Sequence, residues 1–504
     1  MKNLVIVGGG TAGWMAAAFI NKFFPRHTLN VTLIESPDIA TVGVGEATIP
    51  PIQLFNRLLK INEADFIKAT HATYKLGIEF NDWGHIGEQY MHAFGAVGKP
   101  LGLIPFHQYW CKAKQQQPYL RFGHYSLNEI TAYKNKFAPL KKIPNTKLEG
   151  LVHAYHFDAK CYADLLRKIA TQRGVNHCQA KVNSVEIDEH NGYIRSLTLS
   201  SGEQVQGDFF IDCSGQNALL IGKQLAVGFE SWQQWLPCDR AIAIQTKEIS
   251  TAPYTQATAH TAGWMWRIPI QNRTGNGIVY SSEHMSEQHA LTRLQQQLHS
   301  TTALTEPNFI RFKVGRREKQ WHKNCLALGL SSGFLEPLES TSLHMIQSAL
   351  VRFIKFFPSE IINDIEVDEF NRQAKIEAEG IRDFIILHYK LTKRNDSPFW
   401  RECRSKSVPA DLQRKIDLFA KTGKVFREQD DLFDENSWSQ VLLGQGLFPQ
   451  TYHPMVEQIS DFQLNDFLHN YHAIINATSE NLPSHHQYIA TQVQQNKSRS
   501  KADG

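Results

Sequence analysis

The strongest constraint on the fold stands at the start of the chain. Leu4-Val5-Ile6-Val7 is a short, wholly apolar run of the kind that forms a buried parallel strand. Gly8-Gly9-Gly10-Thr11-Ala12-Gly13 follows at once with G-x-G-x-x-G spacing. Residues 14–23 then read as a helix, and Val31-Thr32-Leu33-Ile34 as a second strand ending in Glu35. Each part has a task in holding a dinucleotide. Gly8 allows the tight turn, Gly10 lets backbone approach a pyrophosphate, and Gly13 lets helix and strand pack closely. The helix N-terminus at Thr11 and Ala12 favours phosphate charge, and Glu35 accepts hydrogen bonds from a ribose. A glycine turn alone is weak evidence. With strand, helix and acid in this order it predicts a dinucleotide-binding α/β unit of the Rossmann type rather than a merely structural turn.

At 504 residues there is room for two or three ordinary domains, or for one large α/β unit with embellishments. A formal charge of +4 is small for this length and gives no reason to invoke nucleic acid. The seven cysteines are scattered without C-x-x-C pairs, so reduced thiols in a cytoplasmic enzyme are expected, with no metal site. Met1-Lys2 before an apolar stretch resembles a signal peptide, but the glycines at 8–10 and 13 interrupt it. No run reaches the roughly 20 apolar residues of a membrane span. A soluble protein without membrane partners is expected.

Later segments favour FAD over NAD. Gly207-Asp208-Phe209-Phe210-Ile211-Asp212-Cys213-Ser214-Gly215 resembles the strand and glycine turn with which large FAD enzymes return to the cofactor. Leu326-Ala327-Leu328-Gly329 resembles the late strand that passes the flavin. Many related monooxygenases carry Gly-Asp there. Here the pair is Gly329-Leu330, which speaks against an ordinary aromatic hydroxylase.

Four more strings narrow the choice. Trp264-Met265-Trp266-Arg267-Ile268-Pro269 is a W-x-W-x-I-P motif, and Gly275-Asn276-Gly277 after it looks like a hairpin turn into a strand. Residues 43–50 form a glycine-rich segment that includes Ala47, Thr48 and Ile49. Lys75, in Tyr74-Lys75-Leu76-Gly77-Ile78, lies where a helical stretch (63–73) gives way to a strand (76–80), and a lysine at such a junction is ordinarily a solvated end-cap. Glu339 lies in Glu336-Pro337-Leu338-Glu339-Ser340-Thr341-Ser342, before Leu343, Ile346, Leu350, Phe353 and Phe357 at helical spacing. Ser340 or Thr341 is then a natural helix cap, and the free amides of the turn suit an anion. By itself this reads as a capped helix beside a solvent-facing acid.

Together these strings make the chain resemble the flavin-dependent halogenases, in particular those acting on tryptophan or indole. The resemblance is strong at 4–50, 74–95, 264–269 and 326–344 and weak beyond 390. It implies an FAD-binding module of the flavin-monooxygenase type, with reduced FAD, dioxygen and a halide combining to give hypohalous acid. It further implies that Lys75 holds that species and presents it to one carbon, by hydrogen bond or as a haloamine. Glu339 would help Lys75 polarise it or take the proton of the arenium intermediate. The amides of Thr341 and Ser342 would hold the halide, and Ser342 stands where tryptophan-acting members often have Gly. Residues 43–50 would be a strap over the flavin. Val182, Leu330, Leu343 and Lys75 would be further cofactor contacts. Trp264 and Trp266, by default core packing, would wall off the flavin from the substrate.

His92-Ala93-Phe94 reproduces an H-x-F pair that stacks on indole in tryptophan halogenases, and its bland alternative is an edge-strand aromatic pair. Ser340 would also touch the substrate. The groups that grip the amino and carboxyl ends of free tryptophan have no convincing copy. The corresponding region reads Trp438-Ser439-Gln440-Val441-Leu442-Leu443-Gly444-Gln445, and free or substituted indole, or an indole on a larger molecule, becomes the expected substrate. Bromide is favoured over chloride because it is easier to oxidise. A separate reductase would supply reduced flavin, since no second G-x-G-x-x-G appears. The chain is expected as a monomer or homodimer. Three regions are expected: a discontinuous FAD module with an inserted substrate layer (1–345), a mainly helical region (346–484), and a flexible tail (485–504). An FAD hydroxylase and a catalytically silent FAD-binding protein are the competing readings.

Overall fold

The computed structural model describes residues 1–38, 45–298, 302–359, 361–428 and 430–499. Two compact units are present, each assembled from three stretches of chain. The first comprises Met1–Ala72, Phe157–Gln234 and Phe312–Glu379. The second comprises Thr73–His156, Trp235–Arg311 and Gly380–Gly504. The expected boundary at 345 is therefore not where the chain divides, because it passes from one unit to the other inside the helix Asp364–Lys390.

The first unit is built on a six-stranded sheet in the order Trp321–His322, Cys325–Ala327, Phe209–Asp212, Asn3–Val7, Asn30–Glu35, Asn176–Gln179. All neighbours are parallel except the first pair. Leu4, Val5, Ile6 and Val7 are buried, as a central parallel strand covered on both faces demands. The glycine turn leads into the helix Thr11–Phe23, whose residues 13–21 are all buried. That helix packs against the helices Ala159–Gln172 and Ser342–Lys355.

The second unit is built on a seven-stranded sheet in the order Asn308–Arg311, Arg240–Thr246, Thr274–Tyr280, Gly263–Pro269, Thr255–His260, Gly77–Asn81, Gln89–Ala93. Its only parallel neighbours are Thr255–His260 and Gly77–Asn81. The expected hairpin turn at Gly275-Asn276-Gly277 is instead part of the strand Thr274–Tyr280, and the reversal lies earlier, where the Ile270 amide donates to the Arg273 carbonyl. Gly277 sits there because the Trp266 ring lies against it on the neighbouring strand, where a Cβ would overlap the indole.

Helices at Pro398–Ser405, Ala410–Thr422, Glu435–Gly444 and Asp461–Glu480 follow in the second unit. The expected flexible tail is corrected from its start: His485–Arg499 is a helix and His485 is buried. Ser484 and Gln487 cap it reciprocally, the Gln487 amide donating to Ser484 Oγ and the Ser484 amide to Gln487 Oε1. No helix among the described residues is long and apolar enough to cross a membrane.

Candidate functional site

In the first unit the N-terminal turn has the form a pyrophosphate requires. Gly8 has φ +118°, and a Cβ there would strike the Cys213 backbone. A Cβ on Gly13 would strike the Gly8 carbonyl, so this glycine sets the distance between helix and strand. Gly10 is the N-cap of the helix that begins at Thr11 and Ala12. It offers no side-chain cap, and no other group lies within 4 Å of where its Cβ would be. An uncapped helix terminus facing open space suits an anion. Glu35 ends the second strand, and its carboxylate accepts from His177 Nε2 at 2.9 Å. Facing the turn, buried Asp212 takes the amides of Ser214, Leu220 and Ile221 at 2.8–2.9 Å and so shapes the expected glycine turn. These features fit FAD.

The remaining expected cofactor contacts of this unit differ in exposure. Leu343 is buried in the helix Ser342–Lys355, whereas Leu330 is 41% exposed in the turn Gly329–Ser331. Val182 opens a strand of a separate three-stranded sheet and is half-buried. Of the strap segment, Gly43 and Val44 lie outside the described residues. Ala47 ends the strand Gly45–Ala47, and Thr48 and Ile49 are buried.

Glu339 is not a solvent-facing acid: it is 1% exposed, at the end of the short 3-10 turn Pro337–Glu339. Ser340 follows with φ +58°, a left-handed conformation that a residue with a Cβ adopts at a cost and that often marks a functional turn. Thr341 is the N-cap of the next helix, but its side chain does not cap it as expected. With Thr341 itself in a helical conformation (ψ −7°), its hydroxyl makes no cap bond, and the amides of the first turn have no partner in that side chain. Glu336, not singled out in the sequence, is also fully buried in this turn.

Lys75, in the second unit, is fully buried, so the end-cap reading fails. It ends the three-residue strand Thr73–Lys75, which pairs with Ala154–Asp158. Gly77 explains the K-x-G spacing. A Cβ there would sit 2.8 Å from the His92 carbonyl and 2.9 Å from the Ala93 Cα, so only glycine lets the His92 strand come this close. The Phe94 amide then donates to the Leu76 carbonyl, and Asn128 Nδ2 donates to the same oxygen. The result brings Lys75 Nζ to 5.4 Å from the centroid of the Phe94 ring.

Strand register fixes which side chains share a face. Tyr90, Phe80, Ala257, Trp266 and Gly277 form one cross-strand row. His92 and Trp264, each two residues along its strand, lie on the same face. Trp264 is buried with its ring 6.1 Å from that of Trp266 and 6.4 Å from that of Trp83. His92 lies on the edge strand with its ring 5.4 Å from Phe384 and 6.0 Å from Phe433.

Two further histidines hold the Lys75 strand, and neither was evident from the sequence. Thr73 Oγ1 donates to the Pro269 carbonyl at 2.7 Å, so its oxygen accepts from His156 Nδ1 at 3.1 Å. His156 Nε2 then accepts from the Thr255 hydroxyl at 2.9 Å. Burial, then the charge of Lys75, then His485 hold this imidazole well below the usual histidine range. The proline of W-x-W-x-I-P thus supplies the carbonyl that anchors the strand two residues before Lys75. His485 takes the Tyr74 amide. Strand register alone brings His156 beside Thr73, whereas the capping box at Ser484 was a legible sign that a helix begins at His485.

A family profile described as tryptophan halogenase matches residues 3–461. The tryptophan 7-halogenase RebH of Lentzea aerocolonigenes is 35% identical over 493 residues, which are 90% of this chain and 91% of RebH. Among solved structures, Xcc4156, a flavin-dependent halogenase from Xanthomonas campestris, superposes with a TM-score of 0.94 at 44% identity over 97% of this chain and 98% of its own. BrvH, a flavin-dependent halogenase from Brevundimonas sp. BAL3, superposes with a TM-score of 0.94 at 42% identity, over 98% and 99%. On these matches, the chain belongs to the tryptophan halogenase family of flavin-dependent halogenases.

Proposed function

We propose that this protein halogenates the ring of an indole-type substrate, using FAD reduced by a separate reductase, dioxygen, and bromide in preference to chloride. The observation that carries the reading is the full burial of Lys75 with its amine 5.4 Å from the Phe94 ring centroid. A lysine placed there is costly to bury and is supported by chemistry rather than by solvation.

Gly8, Gly10, Thr11, Ala12, Gly13 and Glu35 would hold the FAD, with Ala47, Thr48, Ile49, Val182, Leu330 and Leu343 as further contacts. Bound reduced FAD would supply the oxidation of halide by dioxygen to hypohalous acid. Thr341 and Ser342 would hold the halide through their amides. Trp264 and Trp266 would keep the substrate ring away from direct oxygenation. Phe94 and His92 would orient that ring, and Ser340 would touch it. Lys75 would hold the hypohalous acid by an N–H bond to its oxygen. As the ring's π pair forms the carbon–halogen bond, the oxygen–halogen pair returns to oxygen, which takes the lysine proton and leaves as water. The carboxylate of Glu339 would remove the ring proton, a role resting on the family resemblance and supported by its burial.

Indole without an amino-acid group is the favoured substrate because the region expected to grip that group is occupied otherwise. Gln440 forms a reciprocal pair with the Ala93 backbone, accepting from its amide at 2.9 Å and donating to its carbonyl at 3.0 Å. Gln445 Nε2 donates to the Tyr90 hydroxyl and the His388 carbonyl. The test is a mass-spectrometric assay of the purified protein with FAD, a flavin reductase, NADH and air, offering indole and tryptophan with equal bromide and chloride. A bromine isotope doublet on indole is the expected product. Preferential chlorination of tryptophan would overturn both the substrate and the halide assignment, and an oxygenated product would overturn halogenation itself.

A further inference from the structure

The Lys75 strand is only three residues long, too short to hold a catalytic amine by its own pairing. Register with Ala154–Asp158 secures one edge, through Thr73 opposite His156, Tyr74 opposite Tyr155 and Lys75 opposite Ala154. The Tyr74 amide itself goes to a residue 411 positions away, donating to His485 Nε2 at 3.0 Å. Since Nε2 accepts, the ring proton is on Nδ1, which donates to the Thr251 carbonyl at 2.9 Å. The His485 amide donates to the Asn135 carbonyl at 2.8 Å. Both ring nitrogens and the backbone of this one residue are thereby committed.

The packing around the contact is aromatic. The Tyr74 ring stacks on Phe137 at 4.0 Å, and Tyr488, one turn along the terminal helix from His485, meets both rings edge-on at 5.5 and 5.4 Å. The Phe137 amide donates to the Pro483 carbonyl, which ties the entry of that helix to the same spot. The helix His485–Arg499 therefore begins against the residue adjoining Lys75.

We propose that His485 is a positioning residue for halogenation: the terminal helix latches the strand that carries Lys75 and keeps its amine in register with Phe94. This rests on the proposed role of Lys75. Without the acceptor at Tyr74 the segment keeps its flanking bonds from Thr73 Oγ1 to Pro269 and from the Leu76 amide to Pro253 but loses the anchor between them, and the amine it carries loses its fixed height over the ring. A displacement on the order of an ångström costs up to about a hundredfold in a positioned reaction. Hypohalous acid formed elsewhere would then escape rather than be delivered.

The experiment compares His485→Leu, which removes the acceptor and keeps the bulk, with His485→Gln, whose amide oxygen can take the Tyr74 amide. Product per reduced flavin, hypohalous acid caught by an added scavenger, FAD affinity and melting temperature are read for each, with Lys75→Ala alongside. In His485→Leu, coupling is expected to fall by about tenfold to a hundredfold and trapped oxidant to rise, with FAD affinity unchanged; His485→Gln recovers most of the coupling. Wild-type coupling in His485→Leu beside an inactive Lys75→Ala overturns the latch alone. Halogenation surviving in Lys75→Ala overturns both the latch and the reading beneath it. If His485→Leu fails to fold, His485→Phe decides, since it removes the acceptor while keeping an aromatic ring beside Tyr74 and Phe137. Reduced coupling there at unchanged FAD affinity supports the latch, and full coupling overturns it.

Discussion

Lys75 Nζ stands 5.4 Å from the centroid of the Phe94 ring, and both residues owe their places to the glycine at position 77. A fully buried lysine over an aromatic face gains on the order of 1–2 kcal/mol from the ring, less than burial of its charge costs. That cost is consistent with the role proposed for Lys75. Gly77 also says why the K-x-G and H-x-F strings go together: the first needs a glycine so that the second can approach.

Replacing Lys75 by methionine keeps the bulk and removes the amine. Halogenation should fall below detection while FAD affinity, measured by flavin fluorescence, stays within about twofold, because the cofactor turn is built from other residues. A Lys75→Met variant that still halogenates indole removes the lysine from the mechanism.

For Glu339, proposed to take the ring proton, the conservative change to glutamine leaves the turn Pro337–Glu339 its shape and takes away only the carboxylate. The rate should drop by about 10²–10⁴-fold, the usual range for a positioned proton acceptor. An unchanged single-turnover rate would mean that the ring proton leaves by another route.

The Thr73 hydroxyl connects two buried groups, donating to Pro269 O and accepting from His156 Nδ1. Thr73→Val preserves shape and leaves both groups without that partner, at a cost of roughly 1–3 kcal/mol. Denaturant unfolding should register the loss, and a midpoint equal to the wild type would show that the network is not a support.

How far this was legible in the sequence depends on the range of each interaction. The N-terminal nucleotide turn could be read because strand, glycines, helix and acid are consecutive, and their burial follows the local pattern. Lys75 looked like a solvated cap because its burial comes from strands at 89–93 and 154–158 that no local window includes. Gly277 looked like a turn residue because glycine there serves the Trp266 ring on another strand. The chain after 484 looked loose from its Gln, Lys and Ser content, although Ser484 and Gln487 already carried a helix-start signal.

Gly277→Ala tests the Trp266 packing directly. The added methyl would overlap the indole ring, so the ring or the strand must move. Overpacking of this kind costs about 1–3 kcal/mol. A lower unfolding midpoint is expected, with a changed tryptophan emission; a variant as stable as the wild type would mean that Trp266 swings aside freely.

His485 should also leave a signature in the acid stability of the protein. Burial pushes its imidazole down to about 4 from an ordinary value of 6.5, with the Thr251 carbonyl opposing the shift and His486 adding to it. The folded pKa is depressed, so the unfolded chain takes up the proton first as pH falls. Stability from the neutral ring is complete above about 6.5 and is lost progressively until the folded form also protonates near 4. The loss is on the order of 3 kcal/mol across that window. Glutamine at 485 does not titrate, so the stability gap between wild type and His485→Gln should narrow as pH falls from 7 to 4. Urea unfolding at a series of pH values measures the gap. Parallel curves would show that His485 does not bind its proton differently on unfolding, and would remove the neutral imidazole from the account of how the Lys75 strand is held.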